Sequence, residues 1–194
     1  MKKLAALTLA LVYVFSFVSC KNASAPWSDS NDQRVPGWDI TVSSAQYSDA
    51  TSIYSDALNK EKMYTSSVCH LPIIKIDTFE ELRQFKLTYA EIVSTYYGDN
   101  EASPFEKATS KYDKSFFEDN SLLIVYLTSS SGSYTYDVVD IYNDGKSFTV
   151  HVKQTNDPEI VTCDMAAQLI TVAVQDSVIV DCESFDADLN NVEN

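Results

Sequence analysis

The stretch LPIIKIDTFEELRQFKLTYAEIV, residues 71–93, decides the fold. It opens with a short apolar run rich in β-branched residues, which predicts a strand over 71–76. Thr78 and Glu81 follow with the spacing of a capping box, so we expect a helix to begin after Thr78. Apolar side chains then recur at steps of three and four over 79–96, the pattern of one long amphipathic helix.

The sequence after this helix is dominated by strand patterns. Continuous apolar runs and alternating runs, both typical of strands, occur at 122–127, 134–142, 147–154, 169–174 and 178–180. Asn143-Asp144-Gly145-Lys146 lies between two of them and predicts a tight hairpin. This order of elements predicts an α+β fold, a mostly antiparallel sheet with one long amphipathic helix packed on it. We expect the helix to bury its apolar stripe, Phe79, Leu82, Phe85 and Tyr89, on the strands 122–127 and 169–174.

Composition restricts the function classes. The chain has 194 residues, of which 45% are hydrophobic, so one domain with a real core is expected. Twenty-eight acidic and 14 basic residues give a formal net charge of −14. A body this acidic repels phosphate backbones, which argues against nucleic acid as a partner.

The first 20 residues carry an export signal. Lys2 and Lys3 precede an apolar run over 4–18 that is too short to span a bilayer and suits the core of a signal peptide. Ser19-Cys20 looks like the end of a bacterial lipobox, which implies removal of residues 1–19 and a diacylglycerol thioether on Cys20. The protein would then be lipid-anchored at the extracytoplasmic face of the cell membrane. An ordinary signal peptide with Cys20 as a chance thiol, or an uncleaved anchor, are the alternatives.

The rest of the chain divides by pattern into four parts. Residues 20–37 are small and polar and indicate a flexible linker. Residues 38–66 form an N-terminal extension of uncertain structure. We expect the α+β domain over 67–182 and an acidic tail over 183–194.

Several segments of this domain resemble a known family. In chain order they are LPIIKIDTF at 71–79, YDKSFFEDNSL at 112–122, SGS at 131–133, HVKQTN at 151–156 and DMA at 164–166. Together they resemble an uncharacterised family of exported lipoproteins from low-GC Gram-positive bacteria. More distantly, 116–180 is similar to the C-terminal domain of a bacterial protease-complex accessory subunit, although a Gly-Gly turn is replaced here by Ser131-Gly132-Ser133. The resemblance implies a small binding or stabilising module and supplies no catalytic residue.

Signatures of catalysis are weak in this sequence. The two histidines, His70 and His151, lie at a predicted strand edge and within a predicted strand, without a Gly-x-Ser-x-Gly elbow. Zinc spacings and Gly-rich phosphate loops are missing as well. Asp186-Ala187-Asp188-Leu189-Asn190 imitates the start of a calcium loop but has no Gly at its sixth position. We therefore expect no cofactor and no metal.

Three cysteines remain if Cys20 carries lipid. At most one internal disulfide can then form, and Cys69 with Cys182 is the preferred pair because these residues flank the predicted sheet. Three thiols without a disulfide are the outcome that the sequence favours over this pairing.

Two functions remain open on the sequence alone. The first is a lipid-anchored binding module for a protein, peptide or glycan, and the second is a cell-surface hydrolase acting on wall or peptide substrates. For the binding module, two polar turns should converge at the end of the sheet opposite the hairpin. Their candidate recognition residues are Ser131, Ser133, Asn156, Glu159, Thr162 and Asp164. The alternative is that these residues are turn formers chosen for backbone geometry.

Overall fold

The computed structural model describes residues 37–48, 51–63, 68–93 and 101–190. Within them the strands are β1 (Asp39–Ala45), β2 (Cys69–His70), β3 (Ile73–Ile76), β4 (Asn120–Ser129), β5 (Tyr136–Asn143), β6 (Ser147–Gln154), β7 (Ala166–Gln175) and β8 (Ser184–Asn190). The helices are α1 (Thr51–Asp56), α2 (Phe79–Thr88), α3 (Ala90–Val93), α4 (Pro104–Thr109) and α5 (Asp176–Ile179), with one 3₁₀ turn at Phe116–Glu118.

The strands form two four-stranded sheets instead of the single sheet expected. Sheet A has the order β1-β7-β4-β3 and is antiparallel throughout. Sheet B has the order β2-β8-β6-β5, in which β6 and β8 are parallel and the other pairs antiparallel. The expected α+β class with mostly antiparallel strands is confirmed.

The two central strands of sheet A are buried on both faces. Leu123, Val125 and Leu127 of β4 point toward sheet B, while Leu122, Ile124 and Tyr126 point toward the helices. All six side chains are at most 1% exposed. A strand covered on both faces has no polar side to alternate with, which is why this run is continuously apolar.

Three layers result from this double burial. One core lies between the sheets, where Phe148, Val150 and Ala187 of sheet B meet sheet A. The other core lies between sheet A and the helices and includes Leu82 and Phe85. Burial of apolar surface on both sides of sheet A is the main stabilising term of the fold.

The helix predicted over 79–96 is shorter than expected. Its start is confirmed: the Thr78 hydroxyl accepts a hydrogen bond from the Glu81 amide at 3.1 Å, and the Glu81 carboxylate accepts one from the Thr78 amide at 3.2 Å. However, α2 ends at Thr88, Tyr89 leaves helical geometry at φ −108°, and α3 follows. The Tyr89 hydroxyl donates to Asp56 of α1 at 2.5 Å, a tertiary contact that sequence periodicity does not encode.

Packing of the apolar stripe agrees with the expectation for three of its four members. Leu82, Phe85 and Tyr89 are buried in the core that also holds Leu122, Ile124 and Leu169 of sheet A, whereas Phe79 is half-buried. The hairpin is confirmed as well, since Gly145 takes a φ of +84° between β5 and β6, a value that glycine adopts without strain.

Two predicted segments at the C-terminus are wrong. Residues 178–180, expected as a strand, lie at and just after the end of α5. The expected acidic tail contains β8, which sits between β2 and β6 with Ala187 fully buried. Phe185, Ala187 and Leu189 point into the core and the acids point outward, so the acid content hid an alternating strand.

The domain also begins earlier than expected. β1 pairs with β7 along all of its seven residues, so part of the uncertain extension 38–66 is an edge strand of sheet A. The expected signal peptide and the expected linker up to residue 36 lie outside the described residues.

Candidate functional site

The two turns named as a recognition surface lie together at one end of the sandwich. The serine turn, residues 131–133, follows β4, and the recognition loop, residues 155–165, joins β6 to β7. The Thr162 hydroxyl lies 2.9 Å from the Ser131 hydroxyl and 3.0 Å from the Ser133 hydroxyl. The structure therefore brings the turns into hydrogen-bond contact, as their positions opposite the hairpin require.

Further bonds fasten the recognition loop at both of its ends. The Asn156 side-chain Nδ2 donates to the Ser133 carbonyl at 2.8 Å, and the Asn156 side-chain oxygen accepts from the Thr135 backbone amide at 2.7 Å. The Asp164 carboxylate accepts from the Gly132 amide at 3.3 Å. The pKa of Asp164 lies below its usual value, mainly because its carboxylate accepts a hydrogen bond from the Thr162 side chain. The bond from the Gly132 amide lowers this pKa further.

The serine turn needs its glycine for a close approach. A Cβ placed on Gly132 would lie 2.9 Å from the Asp164 carboxylate, closer than a real Cβ comes to another atom. Glycine here lets the turn and the loop touch. Most of the predicted recognition residues thus bond within the serine turn and the recognition loop. Glu159 is exposed to solvent.

The recognition loop presents apolar side chains that the sequence analysis did not select. Ile160 is 82% exposed, Met165 51% and Val161 43%. Several exposed apolar side chains on one fastened loop are typical of protein-binding sites. The signal was available in the sequence as Ile160-Val161, an apolar pair directly after the polar run Asn156-Asp157-Pro158-Glu159.

Three cysteines lie within the described residues, and all three are thiols without a disulfide. Cys69 and Cys163 are exposed, and Cys182 is half-buried with its sulfur 3.7 Å from the Asn143 side-chain oxygen. This agrees with the outcome that the sequence favours, three thiols, and the alternative pair Cys69–Cys182 does not form. Burial is the main cause that raises the pKa of the Cys182 thiol.

Both histidines lie in one row across the outer face of sheet B, which we call the histidine row. His70 of β2 and His151 of β6 are each in register with Asp188 of β8, and Asp140 of β5 is in register with His151. The His151 Nδ1 lies 2.8 Å from the Asp188 carboxylate. That hydrogen bond outweighs partial burial and, with the nearby charges of Asp188, Asp140 and Asp186, raises the pKa of His151.

Asp186 is the most buried acid of this face, at 7% exposed. Its carboxylate accepts from Asn59 at 2.8 Å and from Lys62 at 3.1 Å, and it lies 3.0 Å from the His70 Nδ1. Burial alone would raise the pKa of Asp186, but these hydrogen bonds and the nearby positive charge lower it. The Asn59 side-chain Nδ2 also donates to the Leu71 carbonyl at 2.8 Å, so this network ties Asn59 and Lys62 to β8 and to the chain that follows β2.

A cavity of about 660 Å³ lies between α2 and α4. Two of its acids are already engaged: Glu106 accepts from the Ser103 amide at 2.8 Å, and Asp113 accepts from Ser115 and Phe116. The Ser115 hydroxyl is the first cause that lowers the pKa of Asp113, so this carboxyl stays ionised. Lys86 also lines the cavity, and burial lowers its pKa against the opposing charge of Glu106.

Among the described residues, no group of three or more His, Cys, Asp and Glu side chains is placed to hold a metal ion. No helix within the described part of the chain is long and apolar enough to cross a bilayer.

The outcome for the predicted sites is mixed. Ser131, Ser133, Asn156, Thr162 and Asp164 lie in one cluster, whereas Cys20 lies outside the described residues. Comparisons with protein-family models, with curated proteins and with solved structures found no significant match.

Proposed function

We propose that this chain is a lipid-anchored extracytoplasmic binding module that captures a protein or peptide partner with its recognition loop. One observation carries the proposal: a loop fastened at both ends presents three exposed apolar side chains. Fastening lowers the entropy that a loop loses on binding, so the apolar contacts translate more fully into affinity. The anchor on Cys20 and the resemblance to exported lipoproteins remain predictions from the sequence.

The sequence left a protein, peptide or glycan as the ligand, and the loop favours the first two. The exposed surface of the loop is apolar at Ile160, Val161 and Met165, while several of its polar groups bond within the loop and the serine turn. A glycan offers mainly hydroxyl groups and would leave these apolar side chains poorly matched.

A surface hydrolase gains less support from the geometry. Glycosidase chemistry needs two carboxyl groups facing each other across the substrate, one of them protonated. In the 660 Å³ cavity, Glu106 caps α4, and Asp113 accepts from Ser115 and Phe116 and has a lowered pKa. The third acid, Glu101, is paired with Lys107 at 3.7 Å. His70 and His151 bond to carboxylates on a sheet face and do not line that cavity.

Photo-cross-linking tests the recognition loop. A benzophenone amino acid is placed at position 160 of the full chain, and a matched control carries it at position 180, where Val180 is 75% exposed on another part of the surface. In the cells that export the protein, we expect a discrete adduct from position 160 and none from position 180. Equal adducts from both positions would contradict the proposal.

A second pair of variants separates binding from folding. Ser133→Ala together with Asn156→Ala removes the side-chain bonds of these two residues between the loop and the serine turn, and should weaken the adduct while the melting temperature changes little. Met165→Asp leaves position 160 available for the cross-linker, removes the apolar contact of a side chain that is 51% exposed, and should also weaken the adduct. An adduct of undiminished yield in both variants contradicts the role of the loop.

Fractionation tests the anchor independently. Cys20→Ala should move the protein from the membrane fraction to the medium or leave an uncleaved precursor, because the diacyl thioether supplies the membrane affinity. Mass spectrometry of the exported chain should show the lipid mass in the wild type. Unchanged fractionation and mass in the variant would show that Cys20 carries no anchor.

A further inference from the structure

The recognition loop carries free acids directly beside its apolar side chains. Asp157 and Glu159 are both exposed and come just before Ile160 and Val161 in the chain. Within the described residues, neither of these two carboxylates makes a hydrogen bond or an ion pair. Asp164 differs from them, because its carboxylate accepts a hydrogen bond from the serine turn. Two unpaired negative charges are therefore available to a partner of the loop.

The backbone that carries these two acids is restricted. Pro158 lies between them, its ring fixes φ near about −65°, and the residue before a proline is kept in extended geometry. The neighbouring Asn156 side chain bonds to Ser133 and Thr135, which fastens this end of the loop. The acids are thus presented from a restrained backbone, so less entropy is lost when a partner binds.

Positive charge is nearly missing from the strands and turns around the loop. The sequence has no Lys or Arg over 115–145 or over 154–194, the stretches that hold β4, the serine turn, β5, the loop itself and β7. Lys146 belongs to the hairpin at the opposite end of the sandwich. Lys153, near the end of β6, lies opposite Asp137 in the strand register, so this pair adds no net charge.

The neighbouring strand of sheet A does not change this balance. The end of β1 lies beside the start of β7, with Ala45 opposite Ala167, and residues 40–48 carry no charged side chain. The three acids of the recognition loop therefore set the sign of the local potential. The surface that a partner meets is both apolar and negative.

Charge decides which kind of partner fits this surface. Like charges across an interface repel, which disfavours acidic proteins, including a second copy of this chain with its formal charge of −14. Anionic lipid headgroups are disfavoured for the same reason. Lys and Arg side chains are attracted, and their long apolar stems can pack beside exposed apolar side chains.

We propose that the recognition loop captures a basic, apolar segment of another protein. Lys or Arg side chains of the segment pair with Asp157 and Glu159, and its apolar side chains contact Ile160, Val161 and Met165. This inference rests on the proposed function, because it names the partner chemistry of the same loop. The charge pairs speed association and select the partner, while the apolar contacts hold it.

Selection from a library of random twelve-residue peptides tests the inference, with the full chain as bait. We expect the selected peptides to be enriched in Lys or Arg together with bulky apolar residues. They should bind the double variant Asp157→Lys with Glu159→Lys about tenfold or more weakly than the wild type. The matched control is Asp181→Lys with Glu183→Lys, the same change of charge at two exposed positions beside the hairpin, at the opposite end of the sandwich. It should bind the peptides as the wild type does.

Ile160→Ala, which changes no charge, separates this inference from the proposed function. Peptides that lose affinity in Ile160→Ala but carry no excess of Lys and Arg would overturn the inference and leave the loop as a binding site. Equal weakening by the two double variants would overturn it as well, because net charge and not the acids of the loop would then be responsible. If no peptide is selected, or if Ile160→Ala binds every selected peptide as the wild type does, the proposed function fails and the inference fails with it.

Discussion

Individual side chains take their roles from strand register, which a single sequence does not display. His151 and Asp188 are 37 positions apart but adjacent in sheet B, because β6 and β8 run in parallel. The sequence analysis placed His151 within a strand but assigned Asp188 to a solvated tail. Without β8 as a strand, neither the histidine row nor the buried role of Asp186 could be predicted.

The pairing of His151 predicts a pH dependence of stability. The pKa of His151 is raised above its ordinary value of 6.5 in the folded chain, mainly by the hydrogen bond to Asp188. A raised pKa means that the folded state holds the proton more tightly, so the stabilisation is fully present below about pH 6.5 and is lost as the pH rises through the folded value. We expect the free energy of unfolding of the wild type to exceed that of His151→Gln at about pH 5.5, with a smaller difference at about pH 8.5.

Urea titrations of the two proteins at both pH values measure this difference. Asp188→Asn supplies the control, because it removes the hydrogen-bond partner and should lower the pKa of His151 in an NMR titration of the ring. A gap between wild type and His151→Gln that widens at high pH would show that the sign is wrong.

The elements were predictable where one local pattern determined them. The capping box of Thr78 and Glu81 set the start of α2, and continuous apolar runs located β4 and β7. The end of α2 was not predictable, since Tyr89 turns the chain toward Asp56 on a different helix. The strand predicted at 178–180 was wrong for a related reason. A run of three β-branched apolar residues is compatible with a strand and with a short helix, and the local pattern does not distinguish them.

Burial of the apolar stripe of α2 predicts a large effect of truncation at Leu82. Leu82 is 1% exposed and lies in the core against sheet A. Leu82→Ala should lower the free energy of unfolding by about 2–5 kcal/mol, through lost transfer energy and the cavity left behind. The matched control is Leu87→Ala on the same helix, where the side chain is 68% exposed and a change within about 0.5 kcal/mol is expected. Similar losses for the two variants in urea titration would show that the stripe is not the buried face.

Three layers and two sheets emerge only when the whole molecule is considered. The expected single sheet accounted for sheet A and the helices on one of its faces. The second face of β4 and β7 requires its own cover, and sheet B provides it with Val138, Phe148, Val150, Val152 and Ala187. Since both faces of β4 read as one apolar run, the sequence pattern did not reveal how many layers would cover them.

Removal of the C-terminal segment tests whether sheet B depends on β8. A chain that ends at Glu183 lacks the strand between β2 and β6, and with it the buried Ala187 and the carboxylate that holds Asn59 and His70. Both neighbouring strands would lose a hydrogen-bonded partner, and the core between the sheets would open to water. We therefore expect this chain to lose its cooperative unfolding transition, measured by urea titration with circular dichroism and tryptophan fluorescence. A solvated acidic tail predicts the opposite, a transition unchanged in midpoint and slope, because its removal would expose no apolar surface.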